Sequence, residues 1–179
     1  MSEGKIIKAK SKAVKIIIPI LLLSIIFGIW AFKNSDKNSY TAASDNPDFE
    51  LHVSDEINLE KLKAYKLPII IDFGADSCIP CKEMAPILEE LNKELRGKAI
   101  IKFVDVWKYG ALAQNYPLRV IPTQVFIDAD GKPFKPKDAR AMQLLLYSSR
   151  ETNEHNFTTH EGGMTKKQLL EILREMGLK

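Results

Sequence analysis

A chain of 179 residues, 45% of them hydrophobic and 27% charged, has room for one globular domain and an appendage, and this composition excludes an intrinsically disordered protein. The formal net charge of +3 belongs to the N-terminus, because residues 1–32 hold five lysines and one glutamate while the remaining residues sum to −1. This near-neutral remainder excludes a broad basic surface, so we expect no nucleic-acid partner.

Residues 16–32 form an uncharged apolar run, IIIPILLLSIIFGIWAF, and all five of those lysines precede it. As a helix the run would rise about 25 Å, near the lower limit for crossing a bilayer core of about 30 Å. We expect a single-pass membrane anchor at 16–32, a cytoplasmic basic tail at 1–15 and, by the positive-inside rule, an extracytoplasmic domain. A cleaved signal peptide stays open as the alternative, and it also exports the domain.

Residues 33–47 are small and polar without periodicity, which predicts a flexible tether ahead of a folded domain over 48–179. Apolar periodicity and turn signals then place the elements of the domain. The predicted strands are 49–53, 69–75, 99–106, 124–128 and 156–161. The predicted helices are 58–65 (capped by Ser54 and Asp55), 79–96, 110–116 and 165–177. This order predicts an α/β fold whose mixed central sheet is covered by helices on both faces.

Cys78 and Cys81 are the only cysteines, and they lie where the strand at 69–75 leads into the helix at 79–96. Two cysteines this close cannot staple distant parts of a fold, which indicates local chemistry. A helix N-terminus lowers the pKa of a thiol, so we expect Cys78 to be the nucleophile and Cys81 to resolve a mixed disulfide. Pro80 occupies a first-turn position where its missing N–H does no harm. Half of an intermolecular zinc site, or an inert pair, stays open as the alternative.

The segment DFGADSCIPCKEMAPILEEL, residues 72–91, resembles the active-site stretch of the thioredoxin family, with Asp-Phe at the strand end, Cys-x-Pro-Cys-Lys, and Ala-Pro within the helix. The segment LRVIPT, residues 118–123, resembles the second signature of that family. Two separated motifs in the correct order make the resemblance specific over roughly residues 58–177. It implies a thioredoxin-like fold and a redox-active Cys78–Cys81 disulfide, with no further cofactor and no metal.

Carried over residue by residue, the resemblance implies that Asp72 is a buried acid that assists proton removal from Cys81. A carboxyl group in an apolar strand should have a raised pKa and serve as a base near neutral pH. Pro122 would be a cis-proline facing the cysteines. The implied substrate-binding positions are Ile79, Pro80, Ile121 and Thr123. On the residues alone, Asp72 would be a strand-end acid bonded to backbone, and the bond before Pro122 would be trans.

Three positions depart from the family pattern. Ser77 replaces the tryptophan that usually precedes the first cysteine, Gly74 replaces a second aromatic residue, and Phe103 stands where a lysine often pairs with the buried acid, although Lys102 adjoins it. These changes predict a smaller and less apolar site.

An insertion at about 132–154 separates the hairpin turn from the last strand, and residues 136–149 within it have helical composition. Its predicted apolar face holds Ala139, Met142, Leu145 and Leu146. We interpret it as a packed surface helix. A docking surface for a dedicated partner, which Trp107 and Tyr109 could line, is the alternative.

The predicted molecule is therefore a thioredoxin-like α/β domain with a helical insertion before the last strand, preceded by a single N-terminal transmembrane helix. Ile79 and Pro80 separate the cysteines, whereas strongly oxidising family members usually carry histidine there. We expect a monomeric reductase of protein disulfides in exported proteins, resupplied by a membrane thiol-electron transporter. A disulfide oxidase or isomerase, and a partner-binding adaptor, are the alternatives.

Overall fold

The computed structural model describes residues 23, 24, 27 and 46–179. Leu23, Ser24 and Phe27 are helical, and within the described part of the chain no helix is both long and apolar enough to cross a membrane. The predicted basic tail at 1–15, nearly all of the predicted anchor at 16–32 and nearly all of the predicted tether at 33–47 lie outside the described residues.

The domain is built on one six-stranded sheet with strand order β1-β3-β2-β4-β6-β5. Its strands are β1 (His52–Val53), β2 (Ile69–Gly74), β3 (Ile100–Asp105), β4 (Thr123–Ile127), β5 (Leu145–Ser148) and β6 (His155–Glu161). The helices are α1 (Leu59–Lys63), α2 (Ile79–Glu94) and α3 (Lys166–Glu175), with 3₁₀ turns at Pro47–Phe49 and Gly110–Ala113. Strands β1, β3 and β2 run parallel, and β4, β6 and β5 pair antiparallel, which confirms the mixed sheet.

The central strands are buried along their whole length because both faces of the sheet are covered. Ile70 and Phe126 face a core that includes residues of α2 and α3. Ile71 and Val125 face the opposite core, which includes Leu62 of α1. Helices therefore cover both faces, as expected, and the carboxyl end of β2 leads directly into the first turn of α2.

Several boundaries differ from the sequence-based expectation. The helix expected at 58–65 is capped by Asn58, whose side chain accepts a hydrogen bond from the backbone N–H of Lys61, and not by Ser54 or Asp55. The helix expected at 110–116 is a single 3₁₀ turn. The strand expected at 49–53 shortens to β1, because a 3₁₀ turn capped by Asn46 precedes it.

The predicted helix at 136–149 is wrong. A single turn around Asp138 ends at Gln143, whose positive φ of 55° breaks any helix, and Leu145–Ser148 then form β5. Strand β5 pairs with β6 and so satisfies backbone groups that an uncovered edge would leave open. This pairing, together with burial of Leu144, outweighs the helical propensity of the segment.

Candidate active site

Cys78 and Cys81 form a disulfide at the N-terminus of α2, with their Cα atoms 5.2 Å apart. Cys78 is the N-cap residue, and its sulfur accepts a hydrogen bond from the backbone N–H of Cys81 at 3.4 Å. Cys81 is only 3% exposed, whereas Cys78 is half-buried and its neighbour Ile79 is 72% exposed. Pro80 is exposed in the first helical turn. The outer sulfur is thus the one that a large substrate can reach.

The loop before β4 lies against the disulfide. The Ile121–Pro122 peptide bond is cis, and the carbonyl oxygen of Ile121 is 4.0 Å from the sulfur of Cys78. Thr123 is fully buried, and its hydroxyl donates to the carbonyl oxygen of Val120 at 2.7 Å. The side chain of Thr123 therefore supports the loop, while half-buried Ile121 offers backbone beside the reactive sulfur.

An ion pair that the sequence reasoning missed holds the same loop. The Nε and Nη2 atoms of Arg119 donate to the two carboxylate oxygens of Glu161 on β6, at 2.7 and 2.8 Å. The backbone N–H of Gly162 donates to the carbonyl oxygen of Pro122 at 2.8 Å. Arg119 lies three residues before Pro122, but nothing in the sequence linked it to Glu161, 42 positions away.

Asp72 is buried on β2, on the sheet face that α2 covers. Its Oδ1 atom accepts a hydrogen bond from the side-chain amide of Gln124 at 2.7 Å, and its Oδ2 atom has no partner among the described residues. Burial raises the pKa of Asp72 to about 7, and the bond from Gln124 opposes that rise. Asp72 is therefore not the backbone-bonded strand-end acid that its position alone would favour.

Among the described residues, no lysine pairs with this acid. Asp72 lies opposite Phe103 in the register of β2 and β3. Lys102 donates instead to the backbone carbonyl of Glu50 at 2.6 Å, and burial lowers the pKa of Lys102 to about 8. The polar partners of Asp72 are Gln124 and, through it, His160, whose Nδ1 atom is 3.0 Å from the amide oxygen of Gln124. Sequence reasoning missed both, because a polar residue in an apolar strand carries no signal of its cross-strand neighbour.

A buried acid, a helix-capping thiol and a cis-proline loop together form a site that can exchange thiols and disulfides. A family model described as Thioredoxin matches residues 50–149, more than half of the chain. The chain belongs to the thioredoxin family.

Similar proteins agree with this family assignment. Thioredoxin H4 of Arabidopsis thaliana is 36% identical over 126 residues, which cover 69% of this chain and 98% of that protein. Thioredoxin Y, chloroplastic, of Oryza sativa subsp. japonica is 36% identical over 74 residues, which cover 41% of this chain and 44% of that protein. A mutant thioredoxin from Halobacterium salinarum NRC-1 shares the fold, with a TM-score of 0.50 and 24% identity over 74% of this chain and 95% of that one.

Membership in the thioredoxin family makes the chain a thiol–disulfide oxidoreductase. Thioredoxins act through a cysteine pair without a further cofactor, and the pair here is Cys78–Cys81. Their substrates are protein disulfides. The resemblance expected from the two sequence motifs is thus confirmed at the level of family and general reaction.

The segment before Cys78 lacks the tryptophan of the family pattern and is held by hydrogen bonds and an ion pair. Asp105, at the end of β3, accepts hydrogen bonds from the backbone N–H groups of Asp76, Trp107 and Lys108. Burial alone would raise the pKa of Asp105, but these bonds lower it overall. Lys108 also forms an ion pair with Asp76. These contacts fix the segment before the disulfide, where Ser77 stands in place of the family's tryptophan.

Proposed function

We propose that this thioredoxin-family protein reduces disulfides in exported proteins, with Cys78 as the nucleophile. The observation that carries the proposal is the placement of the half-buried Cys78 sulfur at the N-cap of α2, 4.0 Å from the carbonyl oxygen of Ile121 in the cis-proline loop. A substrate strand paired with the backbone of Ile121 would bring its disulfide to that sulfur. Exposed Ile79 and Pro80 would flank the substrate on the helix side.

The reaction is a two-electron exchange. The Cys78 thiolate attacks one sulfur of the substrate disulfide, a mixed disulfide forms, and the other substrate sulfur leaves as a thiolate. Asp72 takes up the proton of Cys81, and the Cys81 thiolate attacks the sulfur of Cys78. The Cys78–Cys81 disulfide forms, and the substrate is released with both of its sulfurs reduced.

The surroundings of Cys78 support electron flow from this protein to its substrate. The N-terminus of α2 favours the thiolate, which every reactive cysteine of this kind needs. The dipeptide between the cysteines, Ile79-Pro80, adds no charge that would stabilise the reduced state further. A strongly stabilised Cys78 thiolate would make the Cys78–Cys81 disulfide oxidising. Because Ile79 and Pro80 add no such stabilisation, the sequence between the cysteines favours a reductase.

Export and resupply of electrons are supported by the N-terminal sequence. The apolar run at 16–32, preceded by five lysines, favours a membrane anchor with the domain on the extracytoplasmic side. A reductase placed there cannot meet cytoplasmic thiols directly. We therefore include in the proposal a membrane thiol transporter as electron donor, and a monomeric protein.

The deciding experiment is a redox titration of the full-length chain in detergent against dithiothreitol and glutathione buffers. A reduction potential near that of thioredoxin, about −270 mV, supports a reductase. A value near that of a strong periplasmic oxidant, about −120 mV, would overturn the proposal in favour of the oxidase alternative.

A separate experiment tests the location. Protease added to intact spheroplasts that express the full-length chain should degrade the folded domain and leave a short N-terminal fragment. A domain that stays protected until the membrane is opened would rule out export. The mass of the mature chain then separates an uncleaved anchor from a cleaved signal peptide.

A further inference from the structure

Gln124 occupies a position where a polar side chain is costly. It lies on β4, between β2 and β6, and is 0% exposed. In the antiparallel register it stands opposite Asp72 on one side and His160 on the other. A buried amide in such a position destabilises the fold unless its donors and acceptor are all bonded.

The hydrogen bonds of Gln124 fix the orientation of its amide group. The Nε2 atom lies 2.7 Å from Oδ1 of Asp72 and 3.2 Å from the carbonyl oxygen of Gly162, which are both acceptors. The Sδ atom of Met84 lies 3.5 Å from the same nitrogen. The amide oxygen faces Nδ1 of His160, and since an amide oxygen can only accept, Nδ1 carries a hydrogen. Reversing the amide would set oxygen against oxygen at both Asp72 and Gly162.

This arrangement leaves one oxygen of Asp72 free. Oδ1 is held by Gln124, whereas Oδ2 is buried and has no partner in the described part of the chain. The face of α2 above this strand presents Cys81, which is buried and is the thiol that must lose a proton during resolution. The unbonded oxygen is the one available to receive that proton.

We propose that Gln124, oriented by His160, is a positioning residue that holds Asp72 by one oxygen and keeps the other free to accept the proton of Cys81. The inference rests on the proposed reaction at Cys78 and Cys81 and adds to it a chain of three buried side chains running across β2, β4 and β6.

Other charged groups on the neighbouring elements are bonded to partners other than Asp72. On the same face, β3 contributes Asp105, which is bonded to backbone N–H groups. Lys166 of α3 pairs at the surface with Glu90 and Glu94 of α2. Burial lowers the pKa of His160, so the neutral ring donates its Nδ1 hydrogen near neutral pH without adding a positive charge.

The substitution that tests the role of Gln124 is Gln124→Met, which keeps the length and apolar volume of the side chain but removes its donors and its acceptor. Because the lost hydrogen bond favours the ionised form of Asp72, the acid should stay protonated to higher pH. In a plot of the resolution rate against pH, the acidic limb is the range in which the rate falls because Asp72 is protonated. This limb should move up by about one pH unit, which corresponds to a tenfold rise in the proton affinity of the acid.

The measurement uses the full-length chain in detergent. Reduced protein is mixed with oxidised glutathione between pH 5 and 9, quenched in acid and analysed by mass spectrometry. The glutathione adduct of Cys78 forms first and then decays as Cys81 expels glutathione. In Cys81→Ser the adduct should persist. If Cys81→Ser forms no adduct and the wild-type chain is not oxidised to the Cys78–Cys81 disulfide, the proposed function fails, whatever Gln124 does.

Two further variants separate positioning from general damage to the fold. In an Asp72→Asn background, Gln124→Met should no longer move the pH profile, because it acts through that acid. Thr159→Val is the matched control, since Thr159 is buried on β6 next to His160 and its hydroxyl has no partner within the described chain. It should leave the profile unchanged.

His160→Phe keeps the test decisive if Gln124→Met does not fold. It removes the donor that orients the amide, so it should shift the acidic limb in the same direction by a smaller amount. An active wild-type enzyme together with an unshifted limb in the folded variants would overturn the inference and leave the proposed function standing. A shift that persists in the Asp72→Asn background would also overturn it.

Discussion

Gly74 and Cys81 approach each other so closely that the strand has no room for a side chain at Gly74. A Cβ atom on Gly74 would lie 3.2 Å from the sulfur of Cys81 and 2.9 Å from a ring carbon of Phe103. The backbone of Gly74 is not in the left-handed region, so the requirement is one of space and not of conformation. The ring of Phe103 and the inner sulfur thus take the volume that a larger residue at Gly74 would need.

Gly74→Ala should therefore destabilise the protein by about 1–3 kcal/mol, the usual cost of adding a methyl group to a tightly packed core. The free energy of unfolding of the oxidised chain in urea measures this effect. Gly110→Ala is the control, because a Cβ there meets no described atom within 4 Å. Adding Phe103→Leu should recover part of the loss, and equal effects of the two alanine variants would contradict the packing argument.

Asp72 should make the stability of the protein fall as the pH rises. Its folded-state pKa is about 7, above the ordinary value of 3.8, so between those pH values the folded state binds more protons than the unfolded state. Stability is therefore lost progressively from about pH 4 to pH 7, by at most about 4 kcal/mol.

Asp72→Asn removes that penalty and should stabilise the chain at pH 8 but not at pH 4, as measured by urea unfolding at both values. Exposed Glu171→Gln on α3 serves as the control. A stabilisation of Asp72→Asn that is the same at both pH values would show that the acid is not the origin of the effect.

Much of the site could be predicted because the elements that form it follow one another within one short segment of the sequence. The buried strand, the two cysteines and the helix follow one another between residues 69 and 94, so helix-capping by Cys78 needed no tertiary information. Gln124 and His160 could not be predicted, because their link to Asp72 depends on the register of three strands that are distant in the chain. The two sequence motifs carried no information about that register.

The insertion shows where the spacing of apolar residues fails to predict the secondary structure. Leu145 and Leu146 fit a helical face when only the spacing of apolar residues is considered. The structure places them in β5, because the open edge of β6 supplies backbone partners that a short helix would lack. Composition could not reveal this edge, since it exists only once β4 and β6 have paired.

The ion pair between Arg119 and Glu161 should matter more for substrate binding than for stability. Arg119 is exposed, and solvent screening leaves surface pairs of this kind with little effect on stability. Arg119→Met should leave the free energy of unfolding nearly unchanged but loosen the loop that carries Ile121. We expect KM for reduction of insulin disulfides to rise about threefold, with kcat little altered.

The control for that prediction is Arg174→Met, an exposed arginine on α3, which should change neither constant. Glu161→Gln should reproduce the effect of Arg119→Met, and the double variant should add little to either. Additive effects of the two substitutions would mean that the residues act separately and would contradict a shared role in holding the loop.

The alternation of burial across the insertion gives a last prediction. Within β5, Leu145 is half-buried and Leu146 is 45% exposed, as expected for neighbouring residues of a strand and not for a helix that buries both. Leu144, which precedes the strand, is 6% exposed. Leu144→Ala should lower the free energy of unfolding by about 2–4 kcal/mol, because it leaves a cavity in the core under α3. Leu146→Ala should change it by less than about 0.5 kcal/mol. Urea unfolding of both variants distinguishes a strand from a helix in this segment. A helix that buries Leu146 would make the loss in free energy of unfolding as large for Leu146→Ala as for Leu144→Ala.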